Sequence, residues 1–422
     1  MKGPRVSEPN VAGPPDLEQA RALDAADPLA PMRARFRLPD CIYLDGNSLG
    51  ALPRGTAAAL NDVVERQWGR DLIASWNTHD WIGQPQRLGA LIAPLIGAGA
   101  HEVIVADTTS TNLFKLIGAA LMARPTRRTI LSEPGNFPTD LYVAEGAVRM
   151  LGDRMLKTVP ADDIVAAIDD DTALVLLTHV HYKSGRKLDM AAITAAAHAK
   201  GALILWDLSH STGAVAVDLR GCDADLAVGC GYKYLNGGPG APAFLFVAER
   251  LHDGLQSPLS GWMGHDAPFD FDDGYRPAAG ISRFLCGTPS VLGMAALAEG
   301  LAPFGAVDPA ALFAKASALG AFYIRLMEER CRDFGFTLAS PRDDAQRGSH
   351  VSYAHDHAYP VCQALIARGV VGDFRAPDTL RMGFAPLYTS YEDVCRAVET
   401  IRDVMATRCW DDDAFRTRAR VT

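Results

Sequence analysis

The chain lacks the features that mark nucleic-acid-binding and membrane-spanning proteins. It has 422 residues with 41 Lys and Arg against 50 Asp and Glu, a net charge of -9, and this acidic balance disfavours binding to nucleic acid. The longest apolar stretch near the N-terminus, residues 88–100, is short and interrupted by Gly and Pro, which argues against a membrane span. The first residues are polar and Pro-rich, unlike a signal peptide. These absences predict a cytoplasmic protein without nucleic-acid or membrane partners.

Metal and nucleotide motifs are also missing. None of the eight cysteines is spaced as C-x-x-C or C-x-x-H, so no metal site is predicted. Scattered cysteines in a chain of this length are typical of reduced thiols that fill a core. The sequence has no G-x-x-x-x-G-K-[ST] stretch, which disfavours binding of a nucleoside triphosphate.

What the chain does have is a regular alternation of apolar strands and helices in its middle part. Runs such as TALVLLT and ALILWD are continuously apolar, and Ala-rich helical segments lie between such runs. This pattern predicts an α/β fold with a mostly parallel central sheet covered by helices on both faces. After about residue 300 a long helix, short strands and a last helix predict a smaller α+β domain. The predicted parts are an N-terminal segment with a helix over 1–40, a large α/β domain over 41–300 and a small domain over 301–422.

The N-terminal segment itself has two predicted parts. Residues 1 to about 14 are polar and Pro-rich, which favours disorder. From Asp16 to Phe36 the Ala-rich composition predicts one helix, ending before Pro39 because proline restricts the residue before it.

One lysine lies in an unusual setting. Lys233, in the stretch GYKYLNGGPG, lies between two tyrosines and precedes three glycines and a proline. Upstream, Asp207 ends the apolar run ALILWD, where a carboxylate is costly to bury without a partner; taken alone, it could simply cap the next turn. Pyridoxal phosphate (PLP) requires an Asp on its pyridinium nitrogen and a Lys that binds its aldehyde as a Schiff base. The two residues in this order, within this fold, predict a PLP enzyme.

A cluster of hydroxyls is the candidate phosphate site. TTSTN, which contains Thr109 and Ser110, lies between a predicted strand and a predicted helix. Hydroxyls and backbone N–H groups at a helix N-terminus favour an anion. An ordinary N-cap accounts for one hydroxyl but not for four in a row.

These stretches resemble the kynureninase family of PLP-dependent fold-type-I hydrolases, in the class V aminotransferase group. The resemblance runs from about residue 42 to 390. Its motifs are LDGNSLG, TSTNLFK, NFPTD, WDLSHSTGAV, GYKYLNGGPG, SGWMGH, TPS and LRMGFAPLYTS.

The resemblance implies roles for individual residues. Lys233 is the Schiff-base lysine, Tyr232 binds phosphate and is the predicted proton donor, and Asp207 pairs with the pyridinium nitrogen. The other implied cofactor-binding residues are Thr109, Ser110, Phe137, Asp140, Ser184, His210, Trp262 and Thr288. Trp262 and Thr288 are expected to come from the partner subunit of a homodimer. The implied substrate-binding residues are Arg381, Arg70 and Asn47.

The implied reaction is hydrolysis of L-kynurenine to anthranilate and L-alanine by cleavage of the Cβ–Cγ bond, a step of tryptophan catabolism and NAD biosynthesis. Arg381 is expected to bind the α-carboxylate in a bidentate manner. Arg70 and Thr288 stand where animal relatives have a histidine and an asparagine near the aryl ring. Both positions bear on the 3-substituent, so 3-hydroxykynurenine is expected to be the poorer substrate.

Two other functions stay open. One is another class V PLP enzyme, such as a cysteine desulfurase or a small-amino-acid aminotransferase. A desulfurase needs a cysteine on a mobile loop, whereas Cys331 and Cys362 lie in helical patterns and Cys286 has no flexible loop around it. The other is a non-enzymatic scaffold with a PLP-enzyme fold, which has no need of both Asp207 and Lys233.

Overall fold

The computed structural model describes residues 15–418, so the disorder predicted for residues 1–14 lies outside the described part of the chain. The helices are α1 Pro15–Ala26, α2 Thr56–Asp62, α3 Ser75–Thr78, α4 Gln84–Ile92, α5 Thr109–Ala123, α6 Pro138–Leu151, α7 Ile164–Ala167, α8 Met190–Ala199, α9 Val291–Leu301, α10 Pro309–Arg330, α11 Ala358–Ala367 and α12 Tyr391–Thr407. The strands are β1 Phe36–Arg37, β2 Ile42–Tyr43, β3 Leu52–Pro53, β4 Val103–Val105, β5 Thr129–Ser132, β6 Met155–Thr158, β7 Thr172–Thr178, β8 Leu203–Asp207, β9 Leu226–Gly229, β10 Phe244–Val247, β11 Thr337–Leu338, β12 His350–Ala354, β13 Val370–Val371, β14 Asp373–Arg375 and β15 Thr379–Gly383.

A seven-stranded sheet forms the centre of the molecule. Its strand order is β4-β10-β9-β8-β7-β5-β6. The central strands pair in parallel, and only β10 runs against its two neighbours, β4 and β9. All residues of β7 and β8 are buried, as their continuous apolar runs predicted. The predicted mostly parallel α/β sheet is confirmed.

Helices cover both faces of this sheet, and β8 shows how the sequence divides between them. Leu203 and Leu205 pack into a core with residues of α5 and α6. Ile204 and Trp206 pack into the opposite core with residues of α4, α8 and α9. Successive side chains of a strand point to opposite faces, so one apolar run fills two cores.

The C-terminal part is built on a four-stranded sheet with the order β11-β12-β15-β14, all antiparallel. Helices α10, α11 and α12 pack into its core, and the N-terminal residues Ala20 and Leu44 join that core. Strand β2 pairs in parallel with β13. The domain boundaries at 40 and 300 stay predictions, and the early part of the chain contacts the small domain closely.

The predicted helix from Asp16 to Phe36 is wrong in its length. Helix α1 ends at Ala26, and a separate 3₁₀ helix covers Ala30–Arg35. The sequence reads DPLAP across the break. Its two prolines have no N–H to donate to the preceding turn, and their rings clash with an α-helical backbone there.

One helix among residues 15–418 is long and apolar enough to cross a bilayer, namely α10. One of its sides packs against the core that it shares with α12 and β12. A helix buried in a globular core passes the same test of length and composition.

The sheet brings the ends of its parallel strands to one edge. Thr178 at the end of β7 is in register with Asp207 at the end of β8, and Asp207 is in register with Val228 of β9. Loops that follow these strands therefore meet at this edge, where ligands bind in open α/β sheets.

Candidate active site

Lys233 lies in the loop after β9, beside the end of β8. Its side chain is buried, and its Nζ lies 3.0 Å from Nε2 of His210. The Nζ also lies 5.6 Å from the centroid of the Phe137 ring and 5.8 Å from that of Tyr232. A buried amine held between an imidazole and two aromatic rings has little freedom, which is what a covalent tether requires.

Asp207 and Asp140 form an acidic pair near Lys233. Asp207 ends β8, and its Oδ1 accepts a hydrogen bond of 2.8 Å from the N–H of Ser209. Asp140 lies in the first turn of α6 and is fully buried. Burial, with the neighbouring Asp207 carboxylate as the second cause, raises the pKa of Asp140 well above its usual range. The raised pKa favours the protonated form of Asp140, and Asp207 is the carboxylate that lies at the strand end.

The candidate phosphate site lies at the N-terminus of α5. Thr108 is the N-cap, and its Oγ1 accepts from the N–H of Thr111 at 3.2 Å. Because Thr108 caps the helix, the hydroxyls of Thr109 and Ser110 in the first turn are not needed for capping and are left to bind a ligand. Phosphate oxygens are favoured ligands at such an N-terminus.

The turn that leads into α5 is firmly anchored. Asp107 has a positive φ of 45°, a conformation that costs energy for a residue with a side chain. Its carboxylate accepts from the buried Lys115, whose Nζ also donates to the carbonyl of Phe284 at 2.7 Å. These bonds hold the turn before α5, and with it the candidate phosphate site, against the sheet.

Ser184 lies in the loop after β7 and is bonded within that loop. Its Oγ lies 3.0 Å from Nδ1 of His181, and its N–H donates to the same nitrogen at 3.1 Å. In the same loop, the ring of Tyr182 packs edge-on against Phe137 at 5.3 Å. Ser184 is thus near the predicted ring-stacking residue, although neither of these bonds reaches Lys233.

Arg381 is buried in the four-stranded sheet and already has several partners. It is paired in a bidentate manner with Asp373, through Nε–H···Oδ1 at 2.8 Å and through Nη2 to Oδ2. Nη2 donates to Ser48 Oγ at 3.0 Å, and Nη1 donates to the carbonyl of Tyr182. With the amide of Asn47 turned so that its oxygen faces the guanidinium, that oxygen lies 3.0 Å from Nε.

The predicted bidentate binding of a substrate carboxylate by Arg381 stays a prediction. The fork formed by Nε and Nη2 is occupied by Asp373, and only part of Nη1 is left to a ligand. Asn47 contacts Arg381, and its predicted role in substrate binding stays a prediction.

A second guanidinium faces the same carboxylate. Nη2 of Arg375 lies 2.7 Å from Asp373 Oδ2 and donates to Ser48 Oγ at 3.3 Å. Burial, with the neighbouring Asp373 carboxylate as the second cause, raises the pKa of Asp45 to about 7. Asp45 is therefore only partly ionised near neutral pH. The guanidinium groups of Arg375 and Arg381 then outweigh the carboxylate of Asp373, and this local excess of positive charge suits an anionic ligand.

Trp262 and Thr288 lie apart from the Lys233 cluster. They line a cavity of about 650 Å³ whose other walls are Ile73, Trp76, Asn77, Ile82, Phe269 and Phe271. Trp262 stacks on Phe271 with ring centroids 6.3 Å apart and meets Phe269 edge-on at 5.5 Å. Lys233 does not line this cavity.

Arg70 joins neither group of residues. Its side chain is 69% exposed, and its Nε lies 3.4 Å from Asp71 Oδ1. The aromatic cavity is lined instead by Trp76 and Asn77 from the same region of sequence. Arg70 does not line this cavity, and its role near an aryl ring stays a prediction.

Three residues at the site were missed by the sequence analysis: Asp373, Arg375 and His350. A signal for the first was present, because DFR and TLRMG flank the short turn APD and a hairpin there pairs Asp373 with Arg381. No sequence signal distinguishes His350 from the other histidines.

The described residues fit PLP. Lys233 is buried with aromatic rings beside it, Asp207 lies at the adjacent strand end, and the N-terminus of α5 opens at the same sheet edge. Among residues 15–418, Oδ1 of the fully buried Asp140 has no hydrogen-bond partner, which is consistent with a polar group of a ligand beside it.

Fold and site together define an enzyme of PLP fold type I. Solved structures with the same fold include a cysteine desulfurase from Thermococcus onnurineus, with a TM-score of 0.75, 20% identity and coverage of 89% of this chain and 98% of that chain. Another is the cystine C–S lyase C-DES with its product cysteine persulfide, with a TM-score of 0.74, 17% identity and coverage of 87% and 98%. At these identities the likeness shows the fold alone.

The sequence comparisons are more specific. The family described as "Kynureninase C-terminal domain" matches residues 312–401. A kynureninase of Deinococcus radiodurans is 55% identical over 92% of this chain and 96% of its own length. A kynureninase of Burkholderia mallei is 51% identical over 96% of this chain and 99% of its own. The chain belongs to the kynureninase family, which confirms the resemblance.

The desulfurase alternative is not favoured, although desulfurases share the fold. Burial raises the pKa of Cys286, and its Sγ lies 3.5 Å from Asp107 Oδ1. Cys331 and Cys362 are buried in the small domain. A thiol nucleophile requires a lowered pKa and access to the ligand, which none of these three has.

Proposed function

We propose that this protein hydrolyses L-kynurenine to anthranilate and L-alanine with PLP as its cofactor. The observation that carries the proposal is the buried Lys233, held beside His210 and Phe137 at the strand edge that Asp207 ends, in a chain of the kynureninase family.

The cofactor would be held by residues from several strand ends. Lys233 would bind its aldehyde, Asp207 its pyridinium nitrogen, and Thr109 with Ser110 its phosphate at the N-terminus of α5. Phe137 would cover one face of the ring. When bound, PLP delocalises the negative charge that forms at the substrate's α-carbon.

The chain itself supplies the proton transfers. Once free, Lys233 takes the α-proton at Nζ, and His210 Nε2, at 3.0 Å, fixes the position of that nitrogen. Burial raises the pKa of Tyr232 far above neutral, so its phenol keeps a proton that it can donate to the β-carbon. A base and an acid thus lie next to each other in sequence, on one glycine-rich loop.

The substrate's α-carboxylate is placed by the guanidinium cluster. Nη1 of Arg381 and the more exposed Arg375 provide the donors, and Asp373 holds both in place. Arg381 also donates to the carbonyl of Tyr182, and the ring of Tyr182 packs against Phe137. Tyr182 therefore connects the carboxylate site to the ring-stacking residue.

We further propose that two copies of the chain share each active site. The support is the cavity around Trp262, whose walls include Ile73 at 79% and Phe271 at 74% exposure. A monomer rarely leaves such an aromatic patch open to water. In a homodimer, Trp262 and Thr288 of one copy would complete the Lys233 site of the other.

Complementation between two inactive variants tests this arrangement. Coexpressed Lys233→Ala and Trp262→Ala chains should regain about a quarter of the parent activity, because half of the dimers are mixed and each has one intact site. Both homodimers should be impaired on their own. Coexpressed Lys233→Ala and Phe137→Ala chains are the control: each loss falls in the site of its own chain, so both sites of a mixed dimer are impaired and nothing should be regained. Equal recovery in the two pairs would contradict a shared site.

The substrate preference can be measured directly. Thr288 and the apolar walls of the aromatic cavity offer few groups for a 3-hydroxyl, so the kcat/KM for L-kynurenine should exceed that for 3-hydroxykynurenine by about tenfold, the value of one unmatched polar group. Release of anthranilate, followed by its fluorescence, gives the first rate, and absorbance gives the second. No anthranilate from PLP-loaded protein would overturn the proposed function, and a preference for 3-hydroxykynurenine would overturn the assignment of specificity.

The cytoplasmic location and the absence of nucleic-acid and membrane partners stay predictions. They rest on the charge balance and on the lack of a signal peptide in the sequence.

A further inference from the structure

His350 is a buried histidine with no hydrogen-bond partner in the described part of the chain. It is the first residue of β12 and has no exposed surface. Both of its ring nitrogens lack a partner among residues 15–418, and so does Nδ1 of His210. The two rings face each other with centroids 5.4 Å apart. Three unsatisfied nitrogens on two facing buried rings are unusual, because buried polar atoms are nearly always bonded.

The protonation of the two rings follows from their surroundings. Burial, with the Lys233 charge as the second cause, lowers the pKa of His210 well below its usual range. Burial, with the charge of Arg381 second, does the same to the pKa of His350. Both rings are therefore neutral at working pH, so each has one N–H donor and one acceptor.

The contact with Lys233 then decides the tautomer of His210. The amine of Lys233 donates at 3.0 Å to Nε2 of His210, so Nε2 is the acceptor and the proton of His210 lies on Nδ1. That buried N–H requires an acceptor of its own. His350 is the ring that faces it.

We propose that His350 is a positioning residue for Lys233: it accepts a hydrogen bond from Nδ1 of His210 and thereby keeps His210 Nε2 as the acceptor for Lys233. Two imidazoles bonded at about 3 Å between nitrogens have their ring centres roughly 5 Å apart. The observed centroid separation of 5.4 Å is close to this value, and the rings are tilted by 59°, so forming the bond requires a change in ring orientation. Through this series of hydrogen bonds, His350 of the small domain is connected to Lys233 beside the large sheet.

Gly185 shapes the space for this ring. A Cβ at residue 185 would lie 3.3 Å from Nε2 of His350, and Gly185 has a positive φ of 69°. A glycine at this position lets the loop after β7 pass directly over the imidazole. A side chain there would press on the ring and restrict the rotation that the bond needs.

The role has a measurable electrostatic consequence. An imidazole whose N–H is bonded to an acceptor becomes a better acceptor at its other nitrogen, which favours the protonated form of the nitrogen on Lys233. Loss of His350 should therefore lower the pH at which that nitrogen gives up its proton. The other charged or titratable groups that face the two rings are Arg375, Arg381, Asp373 and His181.

The test is a pH titration of the visible absorption band of the PLP-loaded, full-length protein without substrate. It depends on Lys233 binding PLP but not on the substrate, so its failure is distinct from failure of the proposed hydrolysis. His350→Leu should lower the midpoint by about 0.5 to 1 pH unit, the equivalent of one hydrogen bond. His350→Gln, which keeps a donor and an acceptor, should return the midpoint toward the parent value.

Two controls separate this role from packing. His252→Leu removes another buried imidazole, one bonded to the carbonyl of Val247 away from the Lys233 edge, and should leave the midpoint unchanged. In a His210→Phe background, His350→Leu should add no further shift, because its effect passes through His210. If His350→Leu does not bind PLP, His350→Phe takes its place in the titration. An unshifted midpoint, an equal shift in His252→Leu, or additive shifts in the double variant would each overturn the proposal.

Discussion

Lys233→Ala is expected to reduce kcat by at least about 10³-fold and to abolish the visible absorption of covalently bound PLP, because one nitrogen serves both as tether and as base. The fold should survive. Lys233 contributes a contact to His210 and two ring contacts, whereas the sheet beneath it is held by strand pairing and two apolar cores.

Lys200→Ala is the matched control for this prediction. Lys200 lies at the end of α8 with a half-exposed side chain, paired with Asp170 at 3.7 Å. Exposed pairs of this kind contribute little to stability, so its activity and absorption should equal those of the parent. Retention of more than a tenth of the parent kcat in Lys233→Ala would contradict the assignment of the base.

Arg381→Met is expected to have two separate effects. Loss of charge-assisted bonds to the α-carboxylate should raise KM about 10²-fold, since each such bond contributes about 1.5–3 kcal/mol. The free energy of unfolding should fall by about 3 kcal/mol, because Asp373 is left as a buried charge with only Arg375 as its ionic partner. Steady-state kinetics and denaturant unfolding measure the two effects independently.

A double variant separates stability from binding. Arg381→Met with Asp373→Leu removes the uncompensated charge and should recover most of the lost stability, as buried ion pairs often tolerate apolar replacement. Its KM should stay high. Arg402→Met, on the exposed side of α12 and paired with Glu399 at 2.8 Å, is the control for loss of an arginine. A normal KM in Arg381→Met would show that Arg375 alone binds the carboxylate.

The pairing of Arg381 with Asp373 changes how this site works. A guanidinium that is already held in a bidentate manner is pre-oriented, so little side-chain entropy is lost when substrate binds. The arrangement also connects the carboxylate site to Ser48 and Asn47 of the N-terminal part of the chain. The residues that place the substrate therefore come from both ends of the sequence.

Several features of this protein could be predicted from local sequence. The continuous apolar runs of β7 and β8 specify buried parallel strands, because only a sheet covered on both faces hides every side chain of such a run. Asp207 and Lys233 follow two neighbouring strands, so their meeting at one sheet edge follows from the topology rule. The break after Ala26 is also encoded locally, because the two prolines of DPLAP cannot continue an α-helix even between Ala-rich segments.

The rest depends on contacts between distant residues. No local pattern shows that Asp373 occupies the fork of Arg381, since that depends on the register of β14 and β15 and on the loop that packs over them. Trp262 lies in the family motif SGWMGH, but the motif does not show that Trp262 lines an aromatic cavity. That placement depends on the tertiary structure.

By itself, then, the sequence determined the central sheet, the Asp207 and Lys233 pair, the cofactor and the family, because these depend on periodicity and on residues close to strand ends. Only the tertiary structure decided which partners Arg381 has, where Arg70 lies, and that His350 of the small domain faces His210 of the large sheet. The physical reason is that burial and hydrogen bonding between strands far apart in the chain are set by packing, and packing is not encoded in any single stretch of residues.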